Sequence, residues 1–397
     1  MSTPEISTIS APKKEDVSAP AATTSPSSSR VHLVDLLRLV ATLQMVNGHT
    51  LDAVVSPATF AGHAFDVYNF FRGLVSVSFM LASGVAFHLT TVARLSTGAL
   101  SREATLKRVR RMIEIIVIGY LLRFPLGAWS TDAELVERSW NRFAEIDVLQ
   151  LIGASLLFLE IVVHLLRDRR RVEITIGVLG VLVLALAPLS EGIVSPRPLG
   201  YLTAWLGHGT GSIFPLFPWS GYVFFGTVLG AIAFPQGGRT PWRRTFFSLA
   251  TLTLASSCAT YVLWRVPVTL WDASMSYHAM PSFFVEKLSY VLGILALLTP
   301  LVARIGKLPW LVSDLAQETL PIYVFHLLAL FFPPMVLASR LGHDLTLPQG
   351  LACSLGMIVM SSLVALAWPK LSPFARRRAP KRTQAPAAAV SEPASSA

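Results

Sequence analysis

The 397-residue chain has few charged residues and only two cysteines, and both shortages narrow the class of protein it can be. Only 14% of its residues are charged, whereas 53% are hydrophobic, and the mean hydropathy is +0.56. A soluble globular domain carries about 25% charged residues. Cys258 and Cys353 both fall in apolar runs, where we expect small core residues rather than a disulfide or a metal pair. The composition predicts a membrane protein.

The sequence also lacks the short motifs of several large enzyme classes. It contains no Walker A loop, no Rossmann glycine fingerprint, no zinc-ligand spacing and no nucleophile elbow. We therefore expect neither nucleotide-driven transport nor metal-dependent hydrolysis, and no metal cofactor. The first apolar run follows the polar residues 1–29 and ends without a small-residue cleavage site. It is predicted to remain as a signal anchor rather than to be removed as a signal peptide.

Apolar runs long enough to cross a membrane recur along the chain. A hydrocarbon core of about 30 Å requires roughly 20 apolar residues per helix. Ten such runs predict an all-α, polytopic bundle of about ten transmembrane helices within residues 30–370. The runs lie near 31–50, 68–91, 108–126, 147–166, 171–189, 213–234, 245–264, 282–303, 318–338 and 348–368.

The net charge of +10 comes from Lys and Arg that cluster between alternate apolar runs. By the positive-inside rule these segments face the cytoplasm, which predicts that both termini are cytoplasmic. The basic excess thus indicates topology and contact with membrane lipids, and not a nucleic-acid partner. We expect a multi-pass protein of the inner membrane if the source is bacterial. Residues 1–29 and the initially basic 371–397 are rich in Ser, Pro and Ala and are predicted to be disordered tails.

The first apolar run, VHLVDLLRLVATLQMVNGHT, carries polar groups at both of its ends. Ionisable groups within a membrane segment are costly and usually mark a functional site. Asp35 and Arg38 are three residues apart and share a helix face, which predicts a structural ion pair. Asn47 and His49 lie at the outer end, where the imidazole could act as a general base and the asparagine as a nearby amide donor. A histidine that only bonds an interfacial loop is an equally good interpretation.

Further polar residues belong to the outer halves of other runs. Arg72 could bind an anionic group or extend to lipid headgroups. Asp147 and Gln150 begin the fourth run, and Trp219 follows two prolines at the start of the sixth. His326 lies within the ninth run and is either a packed core residue or part of a proton or acyl path. The remaining polar groups of the runs are expected at solvated cytoplasmic helix ends: His88, Glu114, Glu160 and His164.

Six segments, in order between about residues 31 and 332, together resemble one known family. They are VDLLRLVATLQMVNGHT, SFMLASGVAF, LKRVRRMIEIIVIGYLL, DVLQLIGASLL, FPLFPWSGYVFFGTVLG and TLPIYVFHLLAL. They resemble the heparan-alpha-glucosaminide N-acetyltransferase-like transmembrane acyltransferases, which are related to acyltransferase family 3. The resemblance implies an enzyme that moves an acyl group, in the first place acetyl, from cytoplasmic acyl-coenzyme A to a glycan or another hydroxyl- or amine-bearing acceptor at the outer face.

The resemblance also implies roles for individual residues. His49 matches the proposed catalytic histidine and would act as a base or carry the acyl group transiently. Asn47 would orient the acceptor or stabilise an oxyanion. The substrate-binding residues would be Arg72, Asp147, Gln150, Trp219 and His326. The phosphates of coenzyme A could be held by Arg108, Arg110 and Arg111.

The sequence departs from the family pattern at two points. Arg38 is followed by Leu39 instead of glycine, and Gln150 is followed by Leu151 instead of arginine. An arginine expected near the fourth run is therefore missing. Two other functions remain alternatives: a transporter or flippase of a small solute or lipid-linked sugar that uses the same buried His and Arg residues, and an inactive membrane scaffold.

Overall fold

The computed structural model describes residues 31–60, 63–97, 100–196, 199–265, 280–332 and 341–371. Across these ranges the regular structure is helical, without strands apart from an isolated bridge between Val55 and Leu345. The predicted tails, 1–29 and 371–397, lie outside the described residues except for Leu371. The all-α prediction is thus confirmed for the described part of the chain.

Each of the ten predicted runs overlaps a described helix, and residues 333–338 of the ninth run lie outside the described residues. Additional short helices lie between the runs. The principal helices are α1 (His32–Val54), α2 (His63–Arg72), α3 (Val75–Thr90), α4 (Arg102–Leu122), α5 (Ala133–Ala144), α6 (Val148–Leu166), α7 (Arg169–Glu191), α8 (Gly200–Thr203), α9 (Leu216–Ala233), α10 (Trp242–Leu263), α11 (Pro281–Ile305), α12 (Trp310–Gln317), α13 (Thr319–Phe331) and α14 (Leu347–Leu371).

Seven helical segments of the described residues are long and apolar enough to cross a membrane, which identifies an integral membrane protein. They involve α3, α6, α7, α9, α10, α11 and α14, with α2 continuing into α3 and α5 into α6. The more highly charged α1 and α4 are not among them, and α13 is a shorter apolar helix. The count of ten spans and the cytoplasmic position of both termini stay predictions.

Short polar side chains define where several helices begin. Asp132 caps α5, Asp147 caps α6 and Asp168 caps α7, each by accepting a hydrogen bond from a backbone N–H of the first turn. Such caps satisfy N–H groups that a helix cannot pair internally. The sequence analysis did not predict α5, because this helix contains too many charged residues to appear as an apolar run.

The centre of the bundle depends on close contact between α3 and α9. A Cβ atom at Gly84 of α3 would overlap the carbonyl oxygen of Val223, and one at Gly226 of α9 would overlap that of Leu81. Residues without a side chain allow two membrane helices to approach at the backbone. On its other faces α9 packs against α7 and α6.

Three residues lie in surroundings other than those predicted. Glu160 is only 3% exposed and accepts hydrogen bonds from Arg108 at 2.6 and 3.1 Å. His88 is fully buried, with its Nδ1 3.9 Å from a carboxylate oxygen of Glu173. The prediction of solvated helix ends is wrong for both residues, because neighbouring helices cover them. Cys258 is exposed on α10 rather than part of a core.

We expect Gly226→Ala to destabilise the protein by about 3 kcal/mol, the upper end of the cost of overpacking, because the added methyl group meets rigid backbone. Gly356→Ala on α14 is the matched control, since no described atom lies within 4 Å of a Cβ at that position. The measurement is the thermal unfolding midpoint in detergent. Equal midpoints for both variants would contradict the close α3–α9 contact.

Candidate functional site

Two histidines that are distant in the sequence meet between α1 and α13. Nδ1 of His49 lies 3.0 Å from Nε2 of His326, and the two rings stack with centroids 5.2 Å apart. His326 is fully buried, whereas His49 is partly exposed. Both residues were predicted as site residues, and the structure brings them into direct contact.

The hydrogen bonds of this histidine pair define its tautomers. Nδ1 of His326 lies 3.0 Å from the carbonyl oxygen of Ile322, which can only accept a hydrogen bond. The proton of a neutral His326 therefore resides on Nδ1, and its Nε2 is an acceptor. His49 must then donate from its own Nδ1, which leaves the lone pair of its Nε2 available to take a proton.

Asn47 lies near His49 in the sequence but bonds to a different helix. Its Oδ1 accepts a hydrogen bond of 2.7 Å from the hydroxyl of Ser354 on α14. His49 instead contacts α13, because residues two apart do not share a helix face. The structure thus does not bring the Asn47 amide to the histidine pair, and its predicted role in orienting the acceptor remains untested.

Arg72, predicted as a substrate-binding residue, lies beside Gly48 of α1 and is paired within the protein. Its guanidinium group binds the Asp52 carboxylate through two nitrogens, one of them 2.8 Å from Oδ1. The Arg72 Nε would also lie 3.5 Å from a Cβ atom at Gly48. Both side chains of the pair are about one third exposed. A ligand would therefore meet a neutral pair rather than an isolated cation.

A cavity of about 730 Å³ opens at the end of the bundle formed by the last turns of α1, α4 and α13 and the first turn of α6. We call this the outer end, following the predicted topology. Asp52, one turn beyond His49, belongs to the cavity wall, as does Tyr323, whose ring packs edge-on against His326. The histidine pair thus lies directly behind the wall. This volume is typical of small-molecule sites.

Gln150 is the most unusual residue of the cavity wall. Its side chain is fully buried, and neither its Oε1 nor its Nε2 has a hydrogen-bond partner among the described residues. The amide packs against Gly119 of α4, where a Cβ atom would lie 2.5 Å from Oε1. Gln150 was predicted as a substrate-binding residue, and it is one of the residues that line the cavity.

Arg123, at the end of α4, is a cavity residue that the sequence analysis missed. It lies 3.0 Å from an oxygen of Asp147 and 2.6 Å from one of Glu145. The two carboxylates thus offset the cost of burying the guanidinium group of Arg123. Arg123 of α4 supplies a cation to the cavity wall, whereas Leu151, where the family pattern has an arginine, is fully buried and is not among the described residues that line the cavity. An arginine at the outer end of a predicted span was the signal available in the sequence.

The remaining predicted residues lie elsewhere. The indole N–H of Trp219 donates to Nε2 of His208 at 3.0 Å, and Trp219 is not among the described residues that line the cavity. Arg38 lies within electrostatic range of Asp35 and donates to the hydroxyl of Thr319 at 3.3 Å. The Arg38 contact joins α1 to the start of α13, which agrees with a structural role for this residue.

The basic residues suggested for coenzyme A are at the opposite end of the bundle. Arg108 is bound to the buried Glu160, and Arg110 donates to Glu114 at 2.8 Å. Both guanidinium groups are therefore neutralised by carboxylates on α4 and α6. Their predicted contact with the phosphates would require these pairs to open.

The comparison with known proteins agrees with the resemblance read from the sequence. A family model described as "Heparan-alpha-glucosaminide N-acetyltransferase, catalytic" matches residues 30–265, more than half of the chain. The matched region contains His49, Arg123 and Gln150 but ends before His326. A search of curated proteins found no match.

We expect Arg123→Leu to destabilise the protein by about 2 to 3 kcal/mol, because Asp147 and Glu145 would remain partly buried without their common cation. The loss is below the value of about 3–5 kcal/mol typical of a fully buried pair, since both carboxylates keep some exposure. Thermal unfolding in detergent measures it. Arg142→Leu, which changes an exposed arginine in the same wall, is the control. Equal midpoints for the two variants would show that the Arg123 bridge is not stabilising.

Proposed function

The chain belongs to the heparan-alpha-glucosaminide N-acetyltransferase family. We therefore propose that it transfers an acyl group from acyl-coenzyme A to an amine- or hydroxyl-bearing acceptor such as a glycan. Acetyl is the acyl group we expect first. The observation that carries this proposal is the hydrogen bond of 3.0 Å between His49 and His326. It leaves Nε2 of His49 as a proton acceptor directly behind the wall of a ligand-sized cavity, to which Asp52, one turn further along α1, contributes.

In the proposed reaction His49 acts as the general base. Its Nε2 removes a proton from the acceptor nucleophile while that nucleophile attacks the carbonyl carbon of the thioester. The C–S bond then breaks, and the imidazolium of His49 passes this proton to the thiolate of coenzyme A. A positioned base of this kind contributes about 10²- to 10⁴-fold to a rate.

The cavity at the outer end is the proposed acceptor site. Its wall combines the charged groups of Arg123 and Asp147 with the aromatic rings of Phe124, Tyr323 and Phe331. Such a mixture suits a polar acceptor with apolar faces, because the rings cover the faces and the charged groups bind hydroxyl or amine groups. The donor would reach the histidine pair from the opposite, basic end.

A transporter or flippase remains the competing proposal, and the first experiment separates the two. Purified protein in liposomes is given acetyl-coenzyme A with and without amino-sugars and glycans, and free coenzyme A is measured. Release that depends on the acceptor supports acyl transfer. No release with any donor or acceptor would contradict the transferase proposal.

We expect His49→Ala to lower kcat by about 10²- to 10⁴-fold without loss of folded protein, because the change removes the base from a partly exposed position. His164→Ala, which changes an exposed histidine at the other end of the bundle, is the matched control. Wild-type turnover in the His49→Ala variant would show that another group takes the proton.

His326 is proposed as a positioning residue that acts through His49. We expect His326→Ala to lower kcat by about 10- to 100-fold, since His49 loses the acceptor that fixes its tautomer. His326→Gln should restore much of the rate, because the glutamine carbonyl can accept the same hydrogen bond. The test is the steady-state kcat of both variants. Equal losses in the two would indicate a packing role instead.

A further inference from the structure

The unpartnered amide of Gln150 requires an explanation. A buried polar group that forms no hydrogen bond destabilises the folded protein, and Gln150 buries both a donor and an acceptor in this way. Gly119 has no side chain, and the amide of Gln150 occupies the space next to it that a Cβ atom would need. A side chain retained at such a cost, in the wall of a cavity, is typical of a ligand-binding group.

The position of Gln150 relates it to the histidine pair. Asp147, one turn earlier on α6, lines the same cavity as Asp52 of α1 and Tyr323 of α13. Leu149 belongs to the same hydrophobic cluster as Met45 and Tyr323, which lie one turn before His49 and His326 respectively. The first turn of α6 therefore shares a cavity wall and a hydrophobic cluster with the two helices that carry the proposed base and its partner.

We propose that Gln150 is a catalytic residue whose amide holds the acyl carbonyl oxygen and the attacking nucleophile side by side. This inference rests on the proposed acyl transfer. Asn47, the amide expected in this role from the sequence, is bonded to Ser354 on α14. Gln150 offers an amide whose donor and acceptor are both unoccupied.

The assignment follows from the chemistry of the step. As the nucleophile attacks, the π electrons of the carbonyl group move to its oxygen, and this oxyanion accepts a hydrogen bond from Nε2 of Gln150. Oε1 of Gln150 accepts one hydrogen of an amine nucleophile while Nε2 of His49 removes the other. When the carbonyl group re-forms, the thiolate leaves and is protonated by His49. Preorganised donors of this kind strengthen as charge develops.

The test compares Gln150→Leu with Ser155→Ala in the full-length protein, using acetyl-coenzyme A and a panel of amino-sugars. Ser155 is the matched control, because it is also on α6, only 1% exposed and without a hydrogen-bond partner among the described residues, but outside the cavity wall. We expect Gln150→Leu to lower kcat by about 100- to 1000-fold with little change in KM for acetyl-coenzyme A. Ser155→Ala should retain the wild-type rate.

A second measurement separates a catalytic role from a structural one. Gln150→Leu removes an unsatisfied amide from the folded protein, so its unfolding midpoint should equal or exceed that of the wild type. Gly119→Ala displaces the amide without removing it and should also lower kcat. A kcat for Gln150→Leu above about one tenth of the wild-type value, or a lowered midpoint beside a lowered kcat, would overturn the assignment.

Failure of the proposed function has a different signature. Wild-type protein that acetylates no acceptor of the panel contradicts acyl transfer itself, and the role of Gln150 with it. Active wild-type protein beside an equally active Gln150→Leu variant contradicts only the role of Gln150.

Discussion

The hydrogen bond between His49 and His326 is the interaction on which the rest of the site depends. It joins α1 to α13 across 277 positions of sequence and makes one ring nitrogen a donor and the other an acceptor. The Ile322 carbonyl fixes the direction of this arrangement, since a carbonyl cannot donate. A base formed in this way needs no charged partner, which suits a partly buried position between apolar helices.

The charged groups around the site obey the requirement that buried charges be paired. Asp52 binds Arg72, and Arg123 lies between Asp147 and Glu145. Each pair reduces the cost of placing an ion beside apolar helices. Among the uncharged groups, the buried amide of Gln150 has no described hydrogen-bond partner. Burying an amide without hydrogen bonds costs a few kcal/mol, whereas burying an unpaired charge would cost considerably more.

Sequence reasoning identified much of the fold because its signals are local. Apolar runs predicted the helices, and Asp147 at the start of one run is its N-cap. The same reasoning missed α5, whose residues are largely exposed and charged. It also placed Glu160 in solvent, where the structure pairs it with Arg108 of another helix. Both differences arise because the hydropathy of one segment does not show which neighbouring helix packs against it.

The sequence by itself determined the helical membrane class, the family and His49 as a candidate base, because these depend on composition and on short motifs. Only the tertiary structure decided which side chains meet. It placed His326 against His49, directed Asn47 to Ser354, and brought Arg123 into the cavity wall. The physical reason is that helix rotation and packing set which face points inward, and these depend on contacts between segments hundreds of residues apart.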